Sequence, residues 1–438
     1  MGINIALYSH DSVGLGHARR NRALAWALAE TLPRITGQST AGLLIAGHPD
    51  ASQDSLPEGW DWLLLPGFAR TPDGYAPRSM GVESGELSDL RSKIVTAALD
   101  SFSPDLFIAD RHPFGVDGEL KPALQRLRTH HRCTTVLGMR DVLDTPSAVE
   151  KEWEQIGGGA EAARHYDALW VYGDAHAYNP LATGEVPAEF ADRAYFTGYL
   201  AHGRPEDTGR PVEAPYFLTM VGGGSDGGAI AQAAAAAPVP AGHRHLIVTG
   251  PQMPDEDVDE VYTAVSTNPD QSLLTPADGG AATRRIRVLR AASNIPALIQ
   301  HAAGVVCMGG YNSVAEVMAT ATPALVIPRN SRRAEQPRRA EALASSGALE
   351  TLPAEEFSAE RIGQWFHGAV DRRVSRDHLD LDGLRAVGHL AADLLNLSQH
   401  PALSPAAARP STPSVTAAPT AVPAPAVSPS TPEVARVR

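Results

Sequence analysis

The stretch 304–343 constrains the fold of this chain more than any other. It reads GVVCMGGYNSVAEVMATATPALVIPRNSRRAEQPRRAEAL, which predicts a strand, a glycine turn, a helix, a second strand, a polar loop and a second helix. Two consecutive parallel strands place their carboxyl ends side by side. We therefore expect the loops 309–313 and 329–336 to open onto one crevice, which is where open α/β sheets bind ligands.

The polar residues of the first loop are compatible with two interpretations. Ser313 and Glu316 have the spacing of a capping box, in which the two side chains satisfy free amides at a helix start. Alternatively, Glu316 accepts hydrogen bonds from a vicinal diol while backbone amides beside Gly309 and Gly310 face phosphate oxygens. One carboxylate has only two oxygens, so the two roles are compatible only in part.

The polar residues of the second loop are also compatible with two interpretations. Glu335 and Gln336 are compatible with a simple helix start, and the arginines around them with a solvated face. An acid beside an amide also suits a site that grips several sugar hydroxyls, because each group offers paired donor or acceptor positions. The arginines in question stand at positions 329, 332, 333, 338 and 339.

A family resemblance emerges from the spaced elements of this stretch. MGGYNSVAEVMATATPALVIPRNSRRAEQPRRAEAL resembles the C-terminal donor-binding domain of GT-B glycosyltransferases of the family 28 type. That family includes the enzyme that adds N-acetylglucosamine to the peptidoglycan lipid precursor. The Gly-Gly-Tyr-Asn start, with the later Pro-Arg and Glu-Gln-x-x-Arg-Ala pieces, is closer still to a bacterial group of predicted glycosyltransferases.

The resemblance implies roles for individual residues. Glu316 matches the glutamate that holds the ribose of the nucleotide sugar, and Glu335 and Gln336 match the pair that holds the sugar ring. Asn312 and Ser313 complete the donor-binding residues predicted on this stretch. The fold implied is α/β, a GT-B fold with two Rossmann-like doubly wound domains facing across a cleft.

Composition agrees with an enzyme of this size. The chain has 438 residues and 43% hydrophobic residues, enough for two domains and a tail. A formal net charge of -13 argues against general nucleic-acid binding, which calls for a basic surface. Cys133 and Cys307 sit in apolar, strand-like contexts, so no disulfide framework is predicted.

The chain start and its apolar runs predict a cytoplasmic protein. The segment MGINIALYSHDS lacks the basic region and long apolar run of a secretion signal, and no window has the apolar length of a membrane span. The expected location is therefore the cytoplasm, and peripheral membrane contact stays compatible with the sequence.

Short apolar runs that end at Gly, Pro or Asp predict the strands of a first doubly wound domain. The segment between Gly67 and Glu86 is rich in Gly, Pro, Ser and charge and predicts a long surface loop. The predicted strands are 3–8, 43–46, 62–65, 104–110, 134–139, 168–172 and 195–197.

The loop after the first strand carries the first candidate for catalysis. Gly14 and Gly16 let backbone amides approach a phosphate or an acceptor, although the loop has neither the Walker nor the dinucleotide spacing. His17 follows. It is compatible with a packing or capping role, but GLGHARR resembles the element in which GT-B enzymes place a general base, and the intrinsic pKa of histidine suits that task.

A second catalytic candidate ends another buried strand. Asp110 is compatible with a turn cap, or with a carboxylate that orients His17 and stabilises its charged form. Arg140 is compatible with a role in binding an anionic acceptor. An Arg-Asp neighbour pair such as Arg140-Asp141, however, more often forms a local salt bridge.

The second domain begins after a polar, Pro- and Gly-rich linker at 201–215. Gly222, Gly223 and Gly224 then lie between a strand and a helix, which predicts a loop whose amides face a diphosphate. The resemblance places the nucleotide base near Arg290. The predicted domain boundaries are 1–200 for the acceptor side, 216–397 for the donor side and 398–438 for a disordered Pro/Ala/Ser-rich tail.

The sequence thus predicts a glycosyltransferase that moves a sugar from a nucleoside diphosphate sugar, with a UDP-sugar favoured, to a small-molecule, glycan or lipid acceptor. The resemblance implies an inverting reaction with no cofactor and no catalytic metal, and the acidic groups at 255–260 and 377–382 lack calcium-loop spacing. The alternatives are a nucleotide-sugar hydrolase and a non-catalytic nucleotide-sugar sensor.

Overall fold

The computed structural model describes residues 2–10, 15–53, 55–71, 74–131, 133–205, 215–274, 283–292, 294–329 and 333–397. The strands are β1 (Ile3–Ser9), β2 (Thr40–Ala46), β3 (Trp60–Leu64), β4 (Phe68–Thr71), β5 (Gly74–Pro77), β6 (Leu106–Asp110), β7 (Thr134–Arg140), β8 (Ala168–Tyr172), β9 (Ala194–Phe196), β10 (Tyr216–Met220), β11 (Arg244–Val248), β12 (Leu273–Leu274), β13 (Thr283–Arg284), β14 (Ile286–Leu289), β15 (Gly304–Cys307), β16 (Ala324–Val326) and β17 (Glu350–Thr351). The helices are α1 (Gly16–Thr36), α2 (Ser84–Phe102), α3 (Lys121–Arg126), α4 (Pro146–Gln155), α5 (Gly158–Ala163), α6 (Gly228–Ala236), α7 (Asp255–Thr267), α8 (Ile295–His301), α9 (Tyr311–Met318), α10 (Glu335–Ser345), α11 (Ala359–Ala369) and α12 (Gly383–Leu394).

Two parallel sheets form the two halves of the fold. The first has seven strands in the order β3-β2-β1-β6-β7-β8-β9, and the second has six in the order β14-β11-β10-β15-β16-β17. Every residue of β6, β8, β10 and β15 is buried, as expected for parallel strands covered by helices on both faces. The predicted fold class, two doubly wound α/β domains, is confirmed.

The two halves share one apolar core. A single cluster of buried side chains runs from β1 and α1 through α12 to β10, β15 and α9, and each half has a further cluster on its outer layer. The described part of the chain up to residue 397 accordingly belongs to one compact unit.

The last helix lies on the first half although it follows the second in sequence. α12 packs along α1, with Leu384 and Val387 buried, and a Cβ on Gly388 would lie 2.4 Å from Thr31 Cγ2. The predicted donor-side domain 216–397 follows the order of the chain. In space its last helix is part of the first half, because the apolar stripe of α12 is completed by α1.

The segment 67–86 is not the long surface loop that its composition predicts. β4 and β5 form an antiparallel ribbon within it, and α2 already begins at Ser84. Phe68 is buried against Leu87 of α2, which explains why this polar stretch folds onto the domain surface.

Two further predictions lie partly or entirely outside the described residues. In the predicted linker 201–215, Ala201 is buried while 206–214 are not described. The predicted tail 398–438 lies entirely outside the described residues. Among the described helices, none is long and apolar enough to cross a membrane.

Candidate active site

Two adjoining cavities lie between the carboxyl ends of the two sheets. The larger, of about 380 Å³, is lined by the start of α1 and by the loops after β7, β10, β15 and β16. The smaller, of about 350 Å³, is lined by α1, Arg204, Glu316 and the segment 290–296. Both touch Arg19 and Gly222, so together they form one cleft, which we call the interdomain cleft.

His17 and Asp110, predicted as catalytic residues, are in direct contact beside this cleft. Nδ1 of His17 lies 3.0 Å from Oδ2 of Asp110, and His17 lines the larger cavity. Nη2 of Arg20 donates to the same carboxylate at 2.5 Å, and Asp110 is completely buried. Helix α1 thus supplies both His17 and Arg20, one turn apart, to the carboxylate that ends β6.

The charges around Asp110 fix its protonation state and that of His17. Burial alone would raise the pKa of Asp110, but Arg20 and His17 outweigh burial and lower that pKa to about 2. For His17, burial lowers the pKa from its ordinary value and the Asp110 carboxylate offsets this only in part. A neutral His17 that donates Nδ1–H to the ionised Asp110 presents Nε2 as a proton acceptor.

Tyr311 connects this group to the second half. Its ring has the Arg20 guanidinium 5.4 Å from its centroid and the Arg339 guanidinium 5.6 Å from it. The Tyr311 hydroxyl accepts the Leu200 amide at 3.2 Å. The tyrosine of the Gly-Gly-Tyr-Asn element therefore fills the space between the two domains, and contacts of this kind hold both arginines in place.

Glu316 is buried on the opposite wall with one free oxygen. Arg19 donates to Oε1 at 2.7 Å, and Nη1 of Arg204 lies 3.5 Å from the same atom. Oε2 is buried and has no hydrogen-bond partner among the described residues. A buried carboxylate oxygen normally has a partner, so this atom is free for the hydroxyl groups of a ligand.

The capping-box interpretation of Ser313 and Glu316 is wrong. The residue before α9 is Gly310, and Ser313 lies inside the first turn without capping the helix. The Glu316 carboxylate turns instead toward Arg19. The N-cap lies three residues before Ser313, and this places Glu316 in the second turn of the helix.

Glu335 and Gln336 line the larger cavity, as the donor-site prediction requires, but Glu335 already has two cationic partners. Arg140 and Arg339 contact its Oε1 at 2.6 and 2.9 Å. Burial would raise the pKa of Glu335, and the two arginines instead lower it to about 2. Gln336 accepts the Arg329 amide through Oε1 at 3.2 Å.

Arginines and acids join the two halves across the cleft. Arg339 and Asp141, both with fully buried side chains, are 2.7 Å apart. Arg140 pairs with Glu335 rather than with its neighbour Asp141, so the expected local salt bridge is wrong. Arg338 reaches Glu185, so the described arginines of this segment do not form a solvated face.

The glycine loops divide into residues that face the cleft and residues that shape its wall. Gly222, Gly223 and Gly310 line the larger cavity. Gly224 has φ +95 and a Cβ there would lie 2.3 Å from the Thr249 carbonyl. Gly309 has φ +80 and its would-be Cβ faces Val326. The last two glycines are therefore required by the backbone conformation, and neither is placed to face a ligand.

The remaining predicted residues lie as follows. Arg290 lines the smaller cavity and pairs with Asp255. Asn312 donates to the Gly16 carbonyl at 2.8 Å and so joins α9 to α1. Gly16, Asn312 and Ser313 line the larger cavity. The prediction for Gly14 lies outside the described residues.

Sequence reasoning missed several cationic residues of the cleft. Arg19 and Arg20 directly follow His17, and the three-residue spacing of His17 and Arg20 places both on one face of a helix. That spacing could have indicated the contact with Asp110. Arg204 gave no signal, since it belongs to a segment whose composition resembles a linker.

Comparison with known proteins identifies the second half. Residues 219–367 match the family model described as glycosyltransferase family 28 C-terminal domain, and this range begins at the end of β10 and contains the glycine loop, Glu316 and Glu335. The second half of the chain therefore carries a domain similar to the C-terminal domain of family 28 glycosyltransferases. A search of the curated proteins found no match.

Solved structures of known proteins share the fold of this chain. A candidate UDP-N-acetylglucosamine 2-epimerase from Listeria monocytogenes has a TM-score of 0.59 at 12% identity, covering 92% of this chain and 99% of that one. The glycosyltransferase VinC in complex with dTDP has a TM-score of 0.54 at 13% identity, with 90% and 99% covered. The calicheamicin glycosyltransferase CalG4 has a TM-score of 0.51 at 14% identity, with 91% and 95% covered. These likenesses confirm the GT-B fold.

Within the described residues, no group of three or more His, Cys, Asp or Glu side chains is arranged to hold a metal ion. The charged groups that line the cleft on both sides are arginines and carboxylates.

Proposed function

We propose that this glycosyltransferase transfers a sugar from a nucleoside diphosphate sugar to an acceptor hydroxyl. The observation that carries the proposal is the free, buried Oε2 of Glu316 on one wall of a cleft whose other wall holds the His17–Asp110 pair. A carboxylate oxygen of this kind suits a ribose diol, and the pair suits proton removal.

The donor is proposed to lie along the whole cleft. The nucleoside occupies the smaller cavity, with its ribose at Glu316 and its base near Arg290. The diphosphate lies where Gly222, Gly223 and Gly310 expose backbone to the larger cavity, and the sugar lies toward Gln336. Backbone amides and arginines at such a position bind phosphate oxygens well.

The proposed reaction inverts the anomeric carbon. His17 takes the acceptor proton at Nε2 while the acceptor oxygen bonds to the anomeric carbon, and the bond to the diphosphate oxygen breaks with its electron pair. Asp110 stabilises the protonated His17. Arg19, Arg329 and the loop amides stabilise the charge on the leaving diphosphate without a catalytic metal.

The donor prediction is tested by thermal unfolding with UDP, dTDP, GDP and ADP. The family resemblance favours a UDP-sugar, and VinC was solved with dTDP, another pyrimidine nucleotide. Saturation at a hundredfold excess over Kd adds about 2.7 kcal/mol of stability, so one nucleotide should raise the unfolding midpoint and Glu316→Gln should remove the shift. Glu356→Gln, at a half-exposed pair with Arg361, is the matched control. No shift with any nucleotide or intact sugar donor contradicts the proposal.

Product analysis separates transfer from its alternatives. With donor alone, rapid release of free sugar indicates a hydrolase. His17→Ala should abolish transfer and keep nucleotide binding. A sensor predicts instead that donor binding continues with no turnover in either the wild type or the variant.

Metal independence is tested by chelation. We expect EDTA to leave the rate of donor turnover unchanged, because the proposed stabilisation of the diphosphate uses arginines and amides. A loss of activity that Mg²⁺ or Mn²⁺ restores contradicts this part of the proposal.

A further inference from the structure

A separate cavity of about 240 Å³ lies in the first half, beyond the loop that follows β6. We call it the histidine pocket. Its volume is below the range of about 300–1,000 Å³ typical of drug-sized ligands, so it accommodates a group about the size of one ring. Residues on its wall include His10, Tyr75, Arg111, His112, Phe114 and Trp153.

Imidazole rings separate the histidine pocket from the interdomain cleft. The rings of His10 and His112 are 4.0 Å apart at their centroids, and that of His17 lies 6.1 and 6.5 Å from them. His10 and His112 line the pocket and His17 lines the larger cavity of the cleft. The His17 ring therefore adjoins the two rings of the pocket wall.

The pocket wall contains buried polar atoms without partners. His10 is 5% exposed, and its Nδ1 has no hydrogen-bond partner among the described residues, while Nε2 lies 3.2 Å from the Tyr75 hydroxyl. Nε of Arg111, a residue 3% exposed, is likewise unpartnered there. Unsatisfied buried donors are rare in folded proteins, so these atoms indicate a ligand.

The backbone of Arg111 adds an independent indication. Its φ is +71, a conformation that a bulky side chain rarely adopts. Such strain persists where surrounding structure enforces it, and it concentrates at functional sites. Here it directs the side chain that follows the catalytic Asp110 into the histidine pocket.

The charge of the pocket favours an anion. Arg111 and Arg333 both pair with Glu152, at 2.6 and 2.9 Å. Arg333 also lies 4.0 Å from Asp144, which is not part of the pocket wall. Asp117, the other acid on the wall, is exposed and accepts a hydrogen bond from Ser88, so solvent stabilises its charge. Burial lowers the pKa of His10 and of His112, which leaves both rings neutral hydrogen-bonding groups.

We propose that the histidine pocket binds the acceptor and selects small, ring-sized hydroxyl compounds that carry one anionic oxygen group, a carboxylate or a phosphate. The anionic group binds Arg111 and Arg333, and the hydroxyl lies between His10 and His17. This inference rests on the proposed transfer function and names the acceptor class for it.

The test is calorimetric titration of the full chain with two sets of probes, each of which compares a carboxylate and a phosphate with a neutral member. The set comprises 4-hydroxybenzoate, its neutral amide and 4-hydroxyphenyl phosphate, with glucuronate, glucose 6-phosphate and glucose as a second set. We expect the charged members to bind more tightly than the neutral ones, and the stronger of carboxylate and phosphate identifies the group. Equal binding of charged and neutral members, or no binding by any charged probe, overturns the inference.

Two substitutions should act in opposite directions. Arg111→Gln should weaken the binding of charged probes by about tenfold to a hundredfold, the usual value of a buried hydrogen bond to a charge, and leave neutral probes unchanged. Glu152→Gln should strengthen it, because Arg111 and Arg333 lose their competing carboxylate. Arg361→Gln, at a half-exposed pair, is the control.

The outcomes also separate this inference from the proposed function. If Arg111→Gln does not fold, the gain predicted for Glu152→Gln and the loss predicted for Arg333→Gln still decide the matter. Unchanged binding in Glu152→Gln overturns the inference. Nucleotide-induced stabilisation should persist in all three variants, and its absence in the wild type would instead contradict the donor site.

Discussion

At the scale of single residues, buried charged side chains beside the cleft determine one another's ionisation state. Asp110 is shared by His17 and Arg20, so its ionised form is secured by a permanent cation as well as by the histidine. Replacing Arg20 leaves the Asp110 carboxylate buried without a permanent counter-charge, which costs far more than a surface pair contributes. The arrangement keeps the orienting carboxylate ionised at every pH near neutrality.

The pH dependence of transfer follows from these shifts. His17 must be neutral to accept a proton, and burial lowers its pKa, so activity should fall only as the pH drops below the ordinary histidine value of about 6.5. The measurement is kcat/KM against pH. Asp110→Asn removes a group that raises this pKa and should move the acid limb to lower pH with a reduced plateau.

An acid limb at or above the ordinary histidine value would contradict this assignment of the base. So would an unchanged limb in Asp110→Asn, provided circular dichroism shows that the variant is folded.

At the scale of elements, the short helix α9 and the last helix α12 connect the halves. α9 carries Tyr311, Asn312 and Glu316, and each of them contacts a group on the first half or beside α1. α12 completes the apolar face of α1. Helices α9 and α1 are therefore held together by packing on one side and by ion pairs on the other.

The packing of α12 on α1 yields a prediction with a built-in control. Gly388→Ala places a methyl group 2.4 Å from Thr31 Cγ2 and should destabilise the protein by about 1–3 kcal/mol through overpacking. Gly368, an exposed helical glycine, has nothing within 4 Å of its would-be Cβ. Gly368→Ala should stabilise the protein by up to about 1 kcal/mol through helix propensity.

Chemical denaturation of both variants measures the difference. Equal effects of the two substitutions would show that α12 does not pack tightly on α1 in solution.

At the scale of the whole molecule, the cleft is held closed by ion pairs. Arg339 is the centre of this interface, since it contacts Asp141, Glu335 and the Gly309 carbonyl. Burial opposes the charge on Arg339, and the two carboxylates more than offset it, so its pKa is raised. This one side chain thus joins α10 and the loop after β15 to the segment after β7.

Arg339→Met should weaken the whole interface. Removing one partner of a buried pair costs about 3–5 kcal/mol, so the unfolding midpoint should fall by several degrees and the two halves should begin to unfold separately in calorimetry. Arg361→Met, at a half-exposed pair, should cost under about 1 kcal/mol. Equal midpoints for the two variants would refute the central role of Arg339.

The sequence alone indicated the architecture and the location of the cleft. Buried parallel strands such as 104–110 and 168–172 are recognisable because nearly every residue must be apolar. The glycine turns and the spacing of Glu316, Glu335 and Gln336 can be recognised in the sequence, because the residues of a strand-end loop are close together in the chain. The family 28 resemblance rested on the same local spacing.

Only the tertiary structure decided which charges meet. Asp110 follows Arg20 by ninety positions and Arg339 follows Asp141 by 198, so no local pattern connects these pairs. The ribbon β4–β5 was not predicted for a similar reason, since Phe68 is buried by α2 rather than by its neighbours in sequence. The periodicity of apolar residues indicates which face of a segment is buried. The pairing of buried charges depends instead on how the two sheets and their helices pack together.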